Sequence, residues 1–159
     1  MRAARFLLLS GFRRMEALTL KWGDIDRDAH CARLEDTKSG KQTRPLGIAA
    51  LELFDSFKPE NAKTTDYVFP VEGKYGHYVG APKAFSRIVK HAKIGTISPH
   101  GLRHWFARAA AELNCSGLTV GGLLGHSARR ATARYATAPD SALVAAADIV
   151  SRQLADALG

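Results

Sequence analysis

Ser98-Pro-His-Gly-Leu-Arg-His-Trp-Phe-Ala107 is the stretch on which the reading of this chain turns. A serine followed by proline has the character of a helix cap and first turn, so a helix is predicted to start here and to carry His100, Arg103 and His104. A spacing of three puts His100 and Arg103 on one helix face. Upstream, Pro82 suits another first turn, and the pattern is helical from Ala81 to about Lys93. Downstream, Gly117 to Leu124 reads as a short helix closed by Gly125. Ala128 to Ala138 reads as another, ended by Pro139. Asp140 opens a last helix, where Leu143, Ala147, Val150 and Leu154 form one face.

The other half of the chain is mixed. Ala3 to Leu20 reads as helical, with Gly11 marking a break between two helices. Cys31 to Lys38 alternates weakly as a strand, Ser39 to Gln42 is a turn, and Thr43 to Ile48 is the returning strand of a hairpin. Ala49 to Phe57 is a helix stopped by Pro59. Tyr67 to Phe69 is a short extended piece before a Gly-rich loop bearing Tyr75, His77 and Tyr78. The expected fold is mainly α with a small antiparallel β-sheet (α+β), one domain over residues 1–159.

Bulk properties narrow the function classes. A length of 159 residues suits one domain with a real core. No run of 18 apolar residues exists, so no membrane span is expected. The start, MRAARFLLLSGFRR, has a signal-like look, but Phe6 to Leu9 is too short and lacks a small-residue cleavage site; it reads as the end of a core helix. Cys31 and Cys115 form neither a disulfide framework nor a metal-ligand spacing, and the default setting is reducing and cytoplasmic. A net charge of +8 suggests a polyanionic partner.

Five features carry chemistry. Gly11-Phe-Arg-Arg-Met-Glu16 sets a basic pair beside an acid; alone it is an ordinary solvated helix face with an Arg–Glu pair. Asp36-Thr-Lys-Ser-Gly-Lys41 places lysines at a hairpin turn, usually solubilising edge charges, and it is not a phosphate-binding P-loop, because a glycine is missing. His100-Gly-Leu-Arg103 is not the HExxH zinc pattern, since it lacks the glutamate. Leu123-Leu-Gly-His126-Ser holds a lone histidine after glycine, and Arg134-Tyr135 sits on an Ala-rich helix. Each is weak by itself, but their order is informative: Arg103 precedes His126 by 23 residues, and His126 precedes Tyr135 by nine.

Taken together, GFRRMEAL, SPHGLRHWFA, LLGHS and TARYA resemble the tyrosine recombinase (phage integrase) family, over nearly the whole chain from Gly11 to about Tyr135. The resemblance implies that family's catalytic-domain fold and a DNA strand transfer needing no metal, nucleotide or other cofactor. Arg13 and Arg103 match the arginine clamp, Lys38 the hairpin lysine, and His100 and His126 the two imidazole positions, the latter often tryptophan in relatives. Tyr135 matches the nucleophile, and Glu16 a supporting acid that orients the site. Lys41 stays open as the alternative lysine. Lys41, Arg108 and Arg134 are candidate DNA contacts. Trp105 and Arg108 stand where relatives commonly have small or hydroxyl residues, Trp105 as a core-packing candidate.

Physical chemistry fits these roles. Two guanidiniums bind the equatorial oxygens of a phosphodiester as charge builds there. A phenol, with a pKa of about 10, needs a base or a strongly positive site. The leaving 5′-hydroxyl needs a proton, which Lys38 supplies; such help contributes roughly 10²- to 10⁴-fold. The product is a 3′-phosphotyrosyl ester, which keeps the bond energy for rejoining. Two other readings use the same residues: relaxation of supercoils by type IB topoisomerase chemistry, and a catalytically weak DNA-binding remnant.

Double-stranded DNA is the expected partner. Relatives usually carry a separate DNA-clamping domain before this one, yet Met1 stands only twelve residues before Arg13, so that core-binding domain is expected to be absent, by excision or natural truncation. The tail, residues 140–159, has three acidic residues to one basic and is not expected to bind DNA. It either docks on a neighbouring protomer, as in the family, or packs on its own domain.

Overall fold

The computed structural model describes residues 2–35, 40–71, 76, 81–92, 98–126 and 140–159. Within 81–92, side chains are described only at 85–87 and 89–91. Helix α1 (Arg2–Ser10) buries Phe6, Leu7 and Leu9. It stops at Gly11, whose φ of +61° favours glycine. No side chain fits there either, because a Cβ would stand 2.5 Å from Phe106 Cδ1. Helix α2 (Arg14–Leu18) follows at once, so the predicted break lies between two helices.

A 3₁₀ turn (Trp22–Asp24) leads into β1 (Ile25–Asp26), β2 (Cys31–Leu34) and β3 (Gln42–Pro45). The three strands pair antiparallel in the order β1-β2-β3, with Cys31 opposite Pro45 and Leu34 opposite Gln42. The sheet thus has one strand more than the predicted hairpin; β1 is two residues long, too short for alternation to reveal. The returning strand ends at Pro45 rather than Ile48, because Ile48 already begins α3 (Ile48–Asp55).

The remaining helices are α4 (Ala81–Ala92), α5 (Pro99–Glu112), α6 (Gly117–Leu123) and α7 (Ser141–Asp156). Caps explain their starts: Ser98 Oγ accepts from the Gly101 amide at 3.0 Å, and Asp140 Oδ1 from the Ala142 amide at 2.8 Å. The expected helix over 128–138 and the aromatic residues Tyr75, His77 and Tyr78 lie outside the described residues.

Two apolar clusters form the core. One gathers Phe6, Phe12, Trp22, Phe54 and Phe69, with the Phe6 and Phe54 rings 4.8 Å apart. The other gathers Phe106, Ala109, Ala110, Leu123, Ala147 and Val150, and Leu154 packs against both. Helix α7 lies on its own chain, against α1, α3, α5 and α6, and buries the predicted face at Ala147 and Val150. The seat is tight: a Cβ on Gly47 would meet Ser151 Oγ at 2.1 Å and Ala147 O at 2.3 Å. Asp148 Oδ1 accepts the Ile48 amide at 2.7 Å, so a carboxylate from α7 satisfies an N-terminal amide of α3 that Gly47 cannot cap.

Candidate active site

Arg13 is the cap residue of α2, and Glu16 is the third residue of that helix. This spacing returns the Glu16 carboxylate to its own helix start. Oε2 accepts the Arg13 amide at 2.9 Å, and Oε1 accepts Arg13 Nη1 at 2.5 Å. The Arg–Glu pairing read from the sequence is therefore present. Glu16 is nevertheless buried, whereas the Arg13 side chain is one-third exposed.

Arg103 comes from the second turn of α5 and points inward. It is 5% exposed. Its Nη1 donates to Gly11 O at 2.6 Å and its Nη2 to Leu124 O at 2.7 Å. Those carbonyls belong to the α1–α2 junction and to the end of α6, so the arginine staples three elements. A guanidinium has five N–H donors, of which these bonds engage two among the described residues.

His100 lies one turn before Arg103 on α5 and is exposed, while Arg103 is buried. Its described ring contact is edge-on to His104, with centroids 4.7 Å apart.

His126 follows the α6 terminus, which Gly125 closes at a φ of +61°. Its backbone amide donates to Gly121 O at 2.9 Å. Burial, then the charges of Arg103, Arg13 and Arg44, hold the imidazole below its ordinary pKa, so it stands neutral at pH 7. Among the described residues, the structure thus brings together Arg13, Glu16, Arg103 and His126. Lys38, Arg134 and Tyr135 lie outside the described residues. Lys41 is exposed and paired with Glu35. Arg108 is exposed, pairs with Glu112 at 2.8 Å and lies over the Trp105 ring at 5.5 Å. Trp105 is 51% exposed, so it is a surface residue and not core packing.

Sequence reasoning missed Arg44, which is 1% exposed. Its Nη1 donates to Glu16 Oε2 at 2.9 Å and its Nη2 to Leu123 O at 2.8 Å. Its guanidinium lies over the Phe12 ring, 4.5 Å from the centroid. No local signal marks it: Arg44 and its neighbour Pro45 on β3 are both buried, so alternation along the strand does not single it out.

The electrostatics are those of an anion site. Three guanidiniums surround one carboxylate, leaving two positive charges uncompensated. Burial pushes the Glu16 carboxyl up, but Arg44, the Arg13 amide and the Arg13 guanidinium outweigh it and hold it below the usual range. Burial drives Arg44 down to about 9, against the pull of Glu16. Burial and Arg13 likewise lower Arg103. Among the described residues no His, Cys, Asp and Glu group could hold a metal ion, and no helix is long and apolar enough to cross a membrane.

Comparison with known proteins gives the same family. The phage integrase family model matches residues 2–141. Prophage integrase IntF of Escherichia coli is 29% identical over 123 residues, covering 76% of this chain and 26% of that protein. Tyrosine recombinase XerC of Xanthomonas axonopodis is 29% identical over 123 residues, covering 74% of this chain and 40% of that protein. The chain therefore matches well under half the length of these relatives. Among solved structures, the integrase of mycobacterium phage Brujita superposes with a TM-score of 0.74 at 22% identity, over 94% of this chain and 51% of that one. The XerH recombinase bound to its difH substrate gives 0.61 at 19% identity, over 99% and 44%. With residues 2–141 matched by the family model, with the α+β fold shared, and with two arginines converging on one glutamate, this chain belongs to the phage integrase family.

Proposed function

We propose that this chain is the DNA-cutting and rejoining domain of a site-specific tyrosine recombinase. The convergence of Arg13 and Arg103, which lie far apart in sequence, carries the reading: one is tied to Glu16, the other to the carbonyl two residues before Arg13. In this proposal the two guanidiniums bind the non-bridging oxygens of a phosphodiester. They hold it as charge accumulates in the transition state, inside a site already arranged to receive it. The Tyr135 phenolate attacks phosphorus, and His100 and the cationic site favour loss of the phenol proton. The bond to the 5′ oxygen breaks, Lys38 protonates that oxygen, and a 3′-phosphotyrosyl ester remains. Neutral His126 donates its ring N–H to a phosphate oxygen. Lys41, Arg108 and Arg134 are proposed contacts to the DNA backbone, and Arg108 already stands exposed on α5.

The proposed partner is double-stranded DNA; the Tn1549 integrase was solved in complex with circular intermediate DNA and the XerH recombinase bound to difH substrate. The setting is the reducing cytoplasm. Self-association on DNA through α7 is proposed to use the seat at Gly47, with one protomer's helix occupying its neighbour's seat. Deleting α7 is a poor test, because Ala147 and Val150 are core residues.

The test is covalent trapping. The full chain is incubated with a pool of nicked duplexes of randomised sequence and resolved under denaturing conditions. The expected result is a protein–DNA adduct on a 3′ phosphate, absent for Tyr135→Phe, whose DNA binding persists. An adduct formed by Tyr135→Phe, or binding without any adduct by the wild-type chain, refutes the proposal.

A further inference from the structure

Arg44 has no place in the chemistry above. It is nearly sealed from solvent, so it cannot grip a DNA phosphate as Arg13 can. Its cost is real: a buried ion pair often loses to apolar groups of the same volume. The cost is raised by Arg44 Nε, which is buried and has no acceptor among the described residues.

What Arg44 does gain is connection. One arm, Nη1, reaches Glu16 Oε2, while the other oxygen of Glu16 holds Arg13. The second arm, Nη2, reaches Leu123 O. The next carbonyl, Leu124 O, is the one that holds Arg103. The residue after that, Gly125, has no room for a side chain, because a Cβ would meet Arg44 Cδ at 2.7 Å and Nε at 2.8 Å. His126 follows directly. The Phe12 ring closes the remaining face of the guanidinium, and Phe12 lies between Gly11, whose carbonyl takes Arg103, and Arg13.

Resting on the recombinase reading, we infer that Arg44 is a positioning residue: it fixes Arg13, Arg103 and His126 relative to one another without touching the phosphate. The planar fork explains the residue type. Two bonds in divergent directions, to a carboxylate and to a helix-terminal carbonyl, need a rigid two-armed donor. A lysine ammonium is a single point on a flexible stem and would hold one end only. A displacement of about 1 Å in a catalytic group costs up to roughly 10²-fold in rate.

The experiment uses the full chain, the same randomised nicked-duplex pool, and the variants Arg44→Lys, Arg44→Met and Gly125→Ala. Gly125→Ala keeps the arginine but crowds it. For each variant shown folded by circular dichroism, adduct formation is followed against DNA concentration. The expected result is a rate at saturating DNA lowered about 10- to 100-fold, with the half-saturating DNA concentration changed less than about threefold, since Arg44 makes no phosphate contact. A merely structural role would leave the saturated rate of the folded protein unchanged. That result in Arg44→Met overturns the inference alone. No adduct from the wild-type chain overturns the recombinase reading and this inference with it. If none of the three variants folds, Arg44 is a fold element and the positioning role is rejected.

Discussion

Replacing Glu16 with glutamine tests the electrostatic keystone directly. Both Glu16 oxygens accept from arginine groups: Oε1 from Arg13 Nη1, Oε2 from the Arg13 amide and Arg44 Nη1. A glutamine has one oxygen, so its amide nitrogen must face at least one of these donors. The change also leaves Arg44 as a buried cation without its counter-ion; side-chain exposure is 1% for Arg44 and 6% for Glu16. Breaking such a pair from one side costs about 3–5 kcal/mol, and for a domain of this size each kcal/mol lowers Tm by about 2–4 °C. Glu16→Gln should therefore melt roughly 6–20 °C below wild type at pH 7. Paired apolar replacement, Glu16→Leu with Arg44→Met, should cost less than Glu16→Gln alone.

The pH dependence has a definite sign. The folded Glu16 carboxyl titrates below its ordinary 4.5, so on acidification the unfolded chain takes up this proton first. Stability from Glu16 is fully present above 4.5 and is lost as pH falls through the folded value. The gap between wild type and Glu16→Gln should narrow over that window. Urea titrations at a series of pH values measure both effects. A loss at pH 7 below about 1 kcal/mol, the scale of an exposed pair, would refute the reasoning.

Gly47→Ala should loosen α7, since the added Cβ would stand 2.1 Å from Ser151 Oγ; faster hydrogen exchange in residues 141–156 with little change in α2 is the expected readout. The same variant should weaken assembly on DNA if α7 exchanges between protomers through this seat, and unchanged sedimentation of the complex would count against the exchange. Ser98→Ala removes the cap of α5 and should cost about 1 kcal/mol, seen as a small fall in the urea midpoint. Trp105→Ala should change stability by less than about 0.5 kcal/mol, as an exposed substitution does, while removing the stacking surface beneath Arg108; a loss of several kcal/mol would mean that Trp105 packs elsewhere.

Why some of this was legible in the sequence and some was not follows from the range of each interaction. The starts of α5 and α7 were readable because a cap is written within three residues: Ser98 with Gly101, Asp140 with Ala142. The Arg13–Glu16 pair was readable for the same reason. Arg103 was readable only through motif order, because its partners, Gly11 O and Leu124 O, are backbone atoms 92 and 21 positions away, and any residue supplies a carbonyl. Arg44 was hidden more deeply. An arginine in a hairpin is ordinarily a surface charge, and its burial makes sense only with Glu16, 28 positions away, and Leu123 O, 79 positions away, already in place. The groups proposed to bear on the phosphate are thus marked by motif order, whereas the proposed brace between them is defined by tertiary contact. A site of this kind shows its reactive groups in the sequence first and the groups that aim them only after folding, which is why the stability of Glu16 and Arg44 variants tests the architecture more directly than loss of any single reactive group.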